Sequence, residues 1–217
     1  MTAPLFWLNT RSGRVFDLLE PTPAMVNFAE IADGLAKICR FGGHTHLHYS
    51  VAQHSVLCAR EASRAAAPYA LLHDVHEFVL GDLTTPFKDA LFWVLAGLPA
   101  APDGRPEPDR EAAITLHGAI CRRFAAFEDR HLAAVHAAAG LTWPPPAAIA
   151  EEVRRLDRRA LVTERRDLMF RAPLPWGREI EAAKPFRSIV KPLLPMQAAD
   201  AWTIQARRLL PCLDRRK

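Results

Sequence analysis

The chain has 217 residues, of which half are hydrophobic and 24% are charged, the composition of an ordinary globular protein with one full hydrophobic core. Its net charge of +4 is too small to indicate a nucleic-acid-binding protein, and no apolar run reaches the ~18 residues that a membrane span requires. Its four cysteines form no C-x-x-C pair, which argues against a zinc ribbon, a redox motif and a disulfide framework, so we expect a soluble, cytoplasmic protein.

The first predicted element is a small β-hairpin, because short apolar stretches flank the Ser-Gly pair at 12–13 in FWLNTRSGRVFDL. A helix follows, and its apolar face carries Phe28, Ile31, Leu35 and Ile38. Ser50 is predicted to cap the next helix, VAQHSVLCAREASRAA, and a further helix is predicted to begin near Pro68 and to end near Gly81.

The second half of the chain is also predicted to be helical. A helix capped by Thr84 or Thr85 precedes the proline-rich loop LPAAPDGRPEPD, and residues 107–139 are predicted to form one or two helices. Another helix is predicted over 147–169, and 171–195 reads as a proline-punctuated connection. An amphipathic helix closes the sequence, and its Trp202, Ile204 and Leu209 could pack on their own core or on a second subunit.

Five titratable residues interrupt the apolar run ALLHDVHEFVLGD, and four of them can face one cleft. On a helix, His73 and Asp74 lie ~100° apart around the axis, so both can reach one cleft, and Glu77 follows on the same face. Asp82 comes directly after Gly81, where the backbone can turn its carboxylate back toward that cleft. Such a cluster is unfavourable unless something neutralises it, and imidazole with carboxylate ligands suits a divalent Mn, Fe, Co, Ni or Zn ion.

A stable metal site needs two more ligands than this segment provides. Upstream, His54 lies on an otherwise apolar helix face, and downstream Asp157 lies in a helix whose other charges are mostly basic. Ligands contributed by three different helices are typical of metal sites inside helical bundles.

These motifs together resemble a known family. The segments RFGGH, YSVAQHS, LLHDVHE, GDLTTPFK and LDRRALVTERRDL resemble HD-domain phosphohydrolases, in the branch of bacterial 5′-deoxynucleotidases and phage deoxynucleoside triphosphohydrolases. The resemblance runs from about Trp7 to Met169. It implies an all-α helical bundle with the hairpin at its front, as a single domain over 1–217 with its core at about 25–170 and a C-terminal helical extension at 171–217.

The resemblance also implies a role for each site residue. The ligands of one divalent transition metal would be His54, His73, Asp74 and Asp157. Glu77 and Asp82 would handle the attacking water and the proton that goes to the leaving oxygen.

Three further residues are implied to bind the substrate. Arg40 matches the family's arginine at the nucleotide phosphate or sugar. Phe41 stands where the deoxynucleotidases have a tryptophan that helps exclude a 2′-hydroxyl, and Lys88 is expected to add a positive charge.

The expected function is therefore a metal-dependent phosphohydrolase of small nucleotides that releases phosphate from deoxynucleoside monophosphates. Two alternatives stay open: release of triphosphate or pyrophosphate from a deoxynucleoside triphosphate, and a nucleotide-binding module without activity. The expected partner is the small-molecule nucleotide, with no nucleic acid and no membrane. Because members of this family are commonly oligomeric, we expect a homo-oligomer, and favour a dimer.

Overall fold

The computed structural model describes residues 4–98 and 110–213, and most of these residues are helical. The two strands are β1 (Trp7–Asn9) and β2 (Val15–Asp17). The helices are α1 (Phe28–Lys37), α2 (Val51–Glu61), α3 (Ala67–Leu72), α4 (Glu77–Leu80), α5 (Thr85–Leu95), α6 (Arg110–Ala139), α7 (Ala147–Leu168), α8 (Arg178–Ala182) and α9 (Pro195–Leu209). The predicted mainly helical fold with an N-terminal hairpin is confirmed. None of the helices described is long and apolar enough to cross a bilayer.

The hairpin is anchored to the helices. Its strands pair antiparallel, with Leu8 opposite Phe16, and Gly13 supplies the positive φ of 76° that the turn requires. Phe16 is fully buried, with its ring centroid 5.2 Å from that of Phe78. The carboxylate of Glu30 on α1 accepts a hydrogen bond of 2.7 Å from a backbone amide of the turn.

One predicted helix cap is confirmed and a second differs from the prediction. The hydroxyl of Ser50 accepts a hydrogen bond of 3.3 Å from the amide of Gln53, so the predicted cap of α2 is confirmed. Thr84 occupies the N-cap position of α5, but its hydroxyl makes no capping hydrogen bond. Of the predicted loop at 98–109 and helix at 107–139, residues 99–109 lie outside the described residues, and 110–139 form the single helix α6.

The main core lies between α1, α2, α3 and α9. Trp202 of α9 is completely buried among these helices, Leu209 packs against the same core, and Ile204 is 56% exposed. The closing amphipathic helix therefore packs on its own core through Trp202. Although α9 belongs to the predicted C-terminal extension, it supplies the largest side chain of the main core.

The prediction of one continuous helix from about residue 68 to Gly81 is wrong for residues 73–76. The chain forms two helices here, α3 and α4, and the turn between them has tighter hydrogen bonds. The amides of Val75, Glu77 and Phe78 donate to carbonyls three residues back rather than four, at 3.1, 3.1 and 3.2 Å. Residues three apart are eclipsed in this 3₁₀ pattern, which brings Asp74 and Glu77 to the same side of the chain.

The connection at 171–195 is not wholly irregular, since it contains the five-residue helix α8. The residue before this helix, Gly177, has a φ of 112°. The two glutamates of α8 pair with arginines of α7: Arg158 Nη1 lies 2.6 Å from Glu179 Oε2, and Arg165 binds Glu181 through two hydrogen bonds. These ion pairs hold the connection against α7.

Candidate metal centre

The structure brings all four predicted ligands to one place. His54 Nε2 lies 3.1 Å from His73 Nε2 and 3.2 Å from Asp157 Oδ1, and Asp74 Oδ2 lies 3.2 Å from His73 Nε2. The remaining His54–Asp74 and His73–Asp157 separations are 3.5 and 3.8 Å. Ligand atoms held at about 2.0–2.2 Å from one ion are roughly 3.0–3.6 Å apart, and four of these five separations lie in that range, so the spacing is close to that of a single metal site.

Three separate elements supply these side chains. His54 lies on α2, His73 and Asp74 begin the tightened turn after α3, and Asp157 lies on α7. The consecutive side chains of His73 and Asp74 lie 3.2 Å apart at the cluster, while α2 and α7 pack beside α3 and close it. The geometry therefore depends on helix packing as well as on the local sequence.

Both imidazole rings are held by their other nitrogen. His54 Nδ1 lies 2.6 Å from Glu164 Oε1, and His73 Nδ1 lies 2.8 Å from the carbonyl oxygen of Ala70. The Ala70 carbonyl can only accept hydrogen bonds. Burial favours the neutral form of Glu164, but Arg40 and His54 hold the pKa of its carboxyl below the usual value, so Glu164 accepts as well.

The hydrogens on Nδ1 leave both Nε2 atoms as acceptors in the neutral rings. Each Nε2 lone pair then lies within 3.8 Å of both carboxylate oxygens, and only positive charge makes that arrangement favourable. Burial lowers the pKa of His73, yet Asp74 and Asp157 together hold this pKa well above its ordinary value. The cluster thus takes up protons or a cation, and its geometry fits a cation.

A thiol adjoins the cluster. Cys58 lies one helical turn after His54 and is completely buried, with Sγ 3.7 Å from His54 Nε2. One ligand atom from each of His54, Cys58 and His73 lies within 4.8 Å of the others, so this group could hold a metal ion. Cys58 is not among the predicted ligands, although its i, i+4 spacing from His54 is a signal for it in the sequence.

Three buried polar residues, Arg40, Tyr49 and Glu164, form hydrogen bonds with the cluster or with one another. Arg40 donates from Nε to Glu164 Oε2 at 3.2 Å and from Nη1 to Asp74 Oδ2 at 3.3 Å. The hydroxyl of Tyr49 donates to Glu164 Oε1 at 2.9 Å. Glu164 is not among the predicted site residues. It follows Asp157 by seven residues, however, and therefore lies on the same face of α7. Arg40 was predicted at the substrate, and the structure places it between two carboxylates beside the ligands.

The two predicted catalytic acids have perturbed protonation. Glu77 begins α4, is 9% exposed, and its Oε2 has no hydrogen-bond partner among the described residues. Burial, followed by the charges of Asp74 and Asp82, raises the pKa of Glu77 well above its usual value. Burial and Asp74 also raise the pKa of Asp82. Carboxyl groups in such surroundings keep a proton toward neutral pH and can donate it.

The remaining predicted substrate residues, Phe41 and Lys88, differ in how they relate to the cluster. Phe41 follows Arg40, and its ring lies 5.4 Å from the guanidinium carbon. Lys88 lies on α5, and its Nζ is 3.3 Å from Glu128 Oε1 of α6. Lys88 is therefore paired with α6, and it reaches the cluster only through its electrostatic effect on Asp82.

We expect Glu164→Gln to weaken metal binding by about 10- to 100-fold, because the partner that orients His54 loses its charge. The measurement is titration of metal-stripped protein with Mn²⁺ or Zn²⁺ by calorimetry. Glu151→Gln is the matched control, since Glu151 lies on the same helix with its side chain 61% exposed. Equal affinities for both variants and the unmodified chain would show that Glu164 does not support a metal ligand.

No family model matches the chain. An uncharacterized protein of Rhodobacter capsulatus is 34% identical to it over 160 residues, which cover 70% of this chain and 67% of the relative. The uncharacterized protein YfdR of Escherichia coli is 39% identical over 87 residues, covering 39% of this chain and 48% of YfdR. The chain thus spans about two thirds of the first relative and about half of the second.

Proposed function

The chain belongs to the same family as the Rhodobacter capsulatus protein, and from its own site residues we propose that it is a metal-dependent phosphohydrolase of small nucleotides. Its proposed reaction is release of phosphate from deoxynucleoside 5′-monophosphates. The supporting observation is the convergence of four ligand atoms, from His54, His73, Asp74 and Asp157, with the Nδ1 atom of each imidazole within hydrogen-bond distance of an acceptor. The resemblance of the surrounding motifs to HD-domain phosphohydrolases supports the class of reaction.

The donor set fits one divalent transition ion. Two imidazole nitrogens and two carboxylate oxygens suit Mn, Fe, Co, Ni or Zn, whereas Mg and Ca prefer oxygen ligands alone. The chemistry that such an ion supplies when bound is Lewis acidity toward a phosphoryl oxygen and toward the attacking water. Glu164 and the Ala70 carbonyl fix the two rings in the tautomer that this binding requires.

Arg40 contributes fixed positive charge next to the ligands. Its guanidinium is held by Glu164 and by Asp74, so it needs no reorganisation when an anionic phosphate arrives. Phosphoryl transfer depends mostly on positioning and charge neutralisation, and an arginine beside the phosphate supplies both. In this role Arg40 keeps Asp74 oriented and offers its remaining N–H groups to a phosphate oxygen.

The proton for the leaving 5′-oxygen is assigned to Glu77. Because the pKa of its carboxyl is raised, Glu77 keeps a proton under conditions where an exposed glutamate is ionised. Its Oε2 is buried and makes no hydrogen bond within the described residues, so no protein group of that set competes for the proton at this oxygen. Asp82 raises the pKa of Glu77 through its charge and is the second group that can exchange this proton.

A hydrolysis panel tests the proposal. Metal-stripped protein is supplied with Mn²⁺, Co²⁺, Ni²⁺, Zn²⁺ or Mg²⁺ and offered ribo- and deoxynucleoside mono- and triphosphates. Chromatography then identifies the nucleoside product and the phosphate species released. The proposal requires inorganic phosphate from deoxynucleoside monophosphates. Tripolyphosphate from a triphosphate would assign the chain to triphosphohydrolases instead, and absence of turnover with every metal would favour a binding module.

Thermal denaturation gives a readout of metal binding that does not depend on turnover. With metal at 100 times its Kd the folded state gains about 2.7 kcal/mol, which for a chain of this size raises Tm by roughly 5–10 °C. At one fixed metal concentration, the gain should be larger at pH 8.5 than at pH 6, because protons raise the apparent Kd at the lower pH. The pKa values of His54 and His73 are raised in the folded protein, so protonation of these residues stabilises the metal-free fold. This stabilisation is complete below about pH 6.5, and it is lost as pH rises through the pKa values of the folded state. Protons and metal therefore compete, and an equal gain at both pH values would contradict this competition.

A further inference from the structure

An aromatic residue outside the predicted site lies against Phe41. The ring of Trp176, in the segment before α8, has its centroid 6.0 Å from that of Phe41, although 134 residues separate them along the sequence. Phe41 in turn lies beside Arg40, whose Nη1 is 3.3 Å from Asp74. A continuous row of side chains therefore leads from the metal ligands through Arg40 and Phe41 to Trp176.

Phe41 is held in an unusual conformation. Its φ of 58° and ψ of 27° lie in the left-handed region, and it is the only residue other than glycine with a positive φ in the part of the chain that the structure describes. A bulky side chain is strained there, and such strain is retained where the surrounding structure fixes it, often at ligand sites. The amide of Arg40 donates to Tyr49 at 2.9 Å, and the carbonyl of Phe41 accepts from His44 at 3.1 Å, which fixes the strained residue from both sides.

Trp176 is held as firmly as Phe41. The guanidinium carbon of Arg165 lies 5.1 Å from the centre of the indole ring, and the amide of Trp176 donates to Glu181 Oε1 at 3.1 Å. Glu181 also accepts two hydrogen bonds from Arg165, at 2.6 and 3.1 Å. Trp176 is nevertheless only half-buried, so part of this residue remains accessible to solvent.

We infer that Phe41 and Trp176 form an aromatic wall that receives the base of the nucleotide. This inference rests on the proposed function, because it assumes that the phosphate lies at the metal ligands and Arg40. A nucleoside 5′-phosphate carries its planar base one sugar away from the phosphate, on the path from Arg40 to the wall. Aromatic rings stack on any base through its π-face, so the wall selects nucleotides over other phosphate esters without distinguishing among bases.

The test compares substrates with and without a base. Metal-loaded protein and its Trp176→Leu variant are assayed on the deoxynucleoside 5′-monophosphates and on 2-deoxyribose 5-phosphate. Loss of one stacking partner should raise KM for the nucleotides by about tenfold or more, with kcat unchanged and with hydrolysis of the sugar phosphate unaffected. Trp176→Phe should recover most of the affinity. Trp7→Leu is the matched control, because Trp7 is a half-exposed tryptophan of the hairpin.

A binding measurement separates failure of this inference from failure of the proposed function. Quenching of tryptophan fluorescence by 2′-deoxyadenosine, which has no phosphate, should be seen with the unmodified chain and with Trp7→Leu, and should be lost in Trp176→Leu. If the chain hydrolyses nothing but this quenching is found, the wall stands and the phosphohydrolase proposal fails. If nucleotides are hydrolysed and Trp176→Leu changes KM equally for the nucleotides and for 2-deoxyribose 5-phosphate, or changes neither KM, the inference of an aromatic wall is wrong. Absence of quenching in the unmodified chain also overturns it.

Discussion

Asp74→Ala should abolish metal binding and lower kcat/KM by about 10³-fold or more, which corresponds to the several kcal/mol of charge stabilisation that a metal contributes to phosphoryl transfer. Asp74 Oδ2 lies 3.2 Å from His73 Nε2 and accepts from Arg40, so its removal takes away one ligand and frees the guanidinium on one side. Metal content after gel filtration and kcat/KM on deoxynucleoside monophosphates are the two measurements, and we expect them to fall together.

The controls for this variant address folding and charge. Asp74→Asn keeps the shape of the side chain and should show the same loss of metal, which separates the missing charge from a cavity. Asp33→Ala removes an aspartate of α1 that pairs with Arg11 and Lys37 outside the cluster, and should retain metal and activity. Full activity of Asp74→Ala would overturn the assignment of the whole site. A drop in Tm without any metal affinity in the unmodified chain would instead identify the cluster as a structural network of ion pairs.

Glu77→Gln should separate turnover from metal binding. We expect kcat to fall by about 10²- to 10⁴-fold, the range for loss of a general acid, while the metal content stays at that of the unmodified chain. The same variant should be more stable than the unmodified chain, because Glu77 is buried beside the like charges of Asp74 and Asp82. Each kcal/mol gained appears as roughly 2–4 °C in Tm.

The pH dependence of that gain follows from the direction of the shift. The pKa of Glu77 is higher in the folded chain than in the unfolded one, so its ionisation destabilises the fold as pH rises above about 4.3. The stabilisation by Glu77→Gln should therefore be small near pH 4 and larger at pH 8. Glu61→Gln, at the exposed end of α2, should change neither kcat nor Tm. A Glu77→Gln variant with unchanged kcat would remove Glu77 from the proposed reaction.

The four predicted ligands could be named from the sequence because their motifs are local. His73 and Asp74 are adjacent, and the neighbours of His54 and Asp157 match a recognisable pattern, so the resemblance assigned each one separately. Their convergence within 3.8 Å depends on how α2, α3 and α7 pack, which periodicity does not specify. The residue spacing at 70–81 is compatible with a continuous helix and also with a tighter turn at 73–76. Only the packing of the chain distinguishes these two structures.

Other parts of the site could not be predicted, because they are contacts between distant segments. Glu164 meets His54 across 110 residues and Tyr49 across 115. The contact between Phe41 and Trp176 depends on a segment that the sequence presented as an irregular connection. Each of these residues alone has an ordinary explanation as a helix charge or a loop aromatic, and only the folded chain brings them together.

The place of Trp202 in the main core has a consequence for synthesis of the protein. The apolar faces of α1 and α2 are complete once residue 61 has been made, but the helix that covers them ends at residue 209. At 5–20 residues per second a ribosome needs roughly 7–30 s to make the intervening segment. Throughout that interval the nascent chain exposes the surfaces that Trp202 later buries, so we expect it to depend on chaperones. Chains that terminate before α9 should aggregate or be degraded rather than persist as a shortened folded protein.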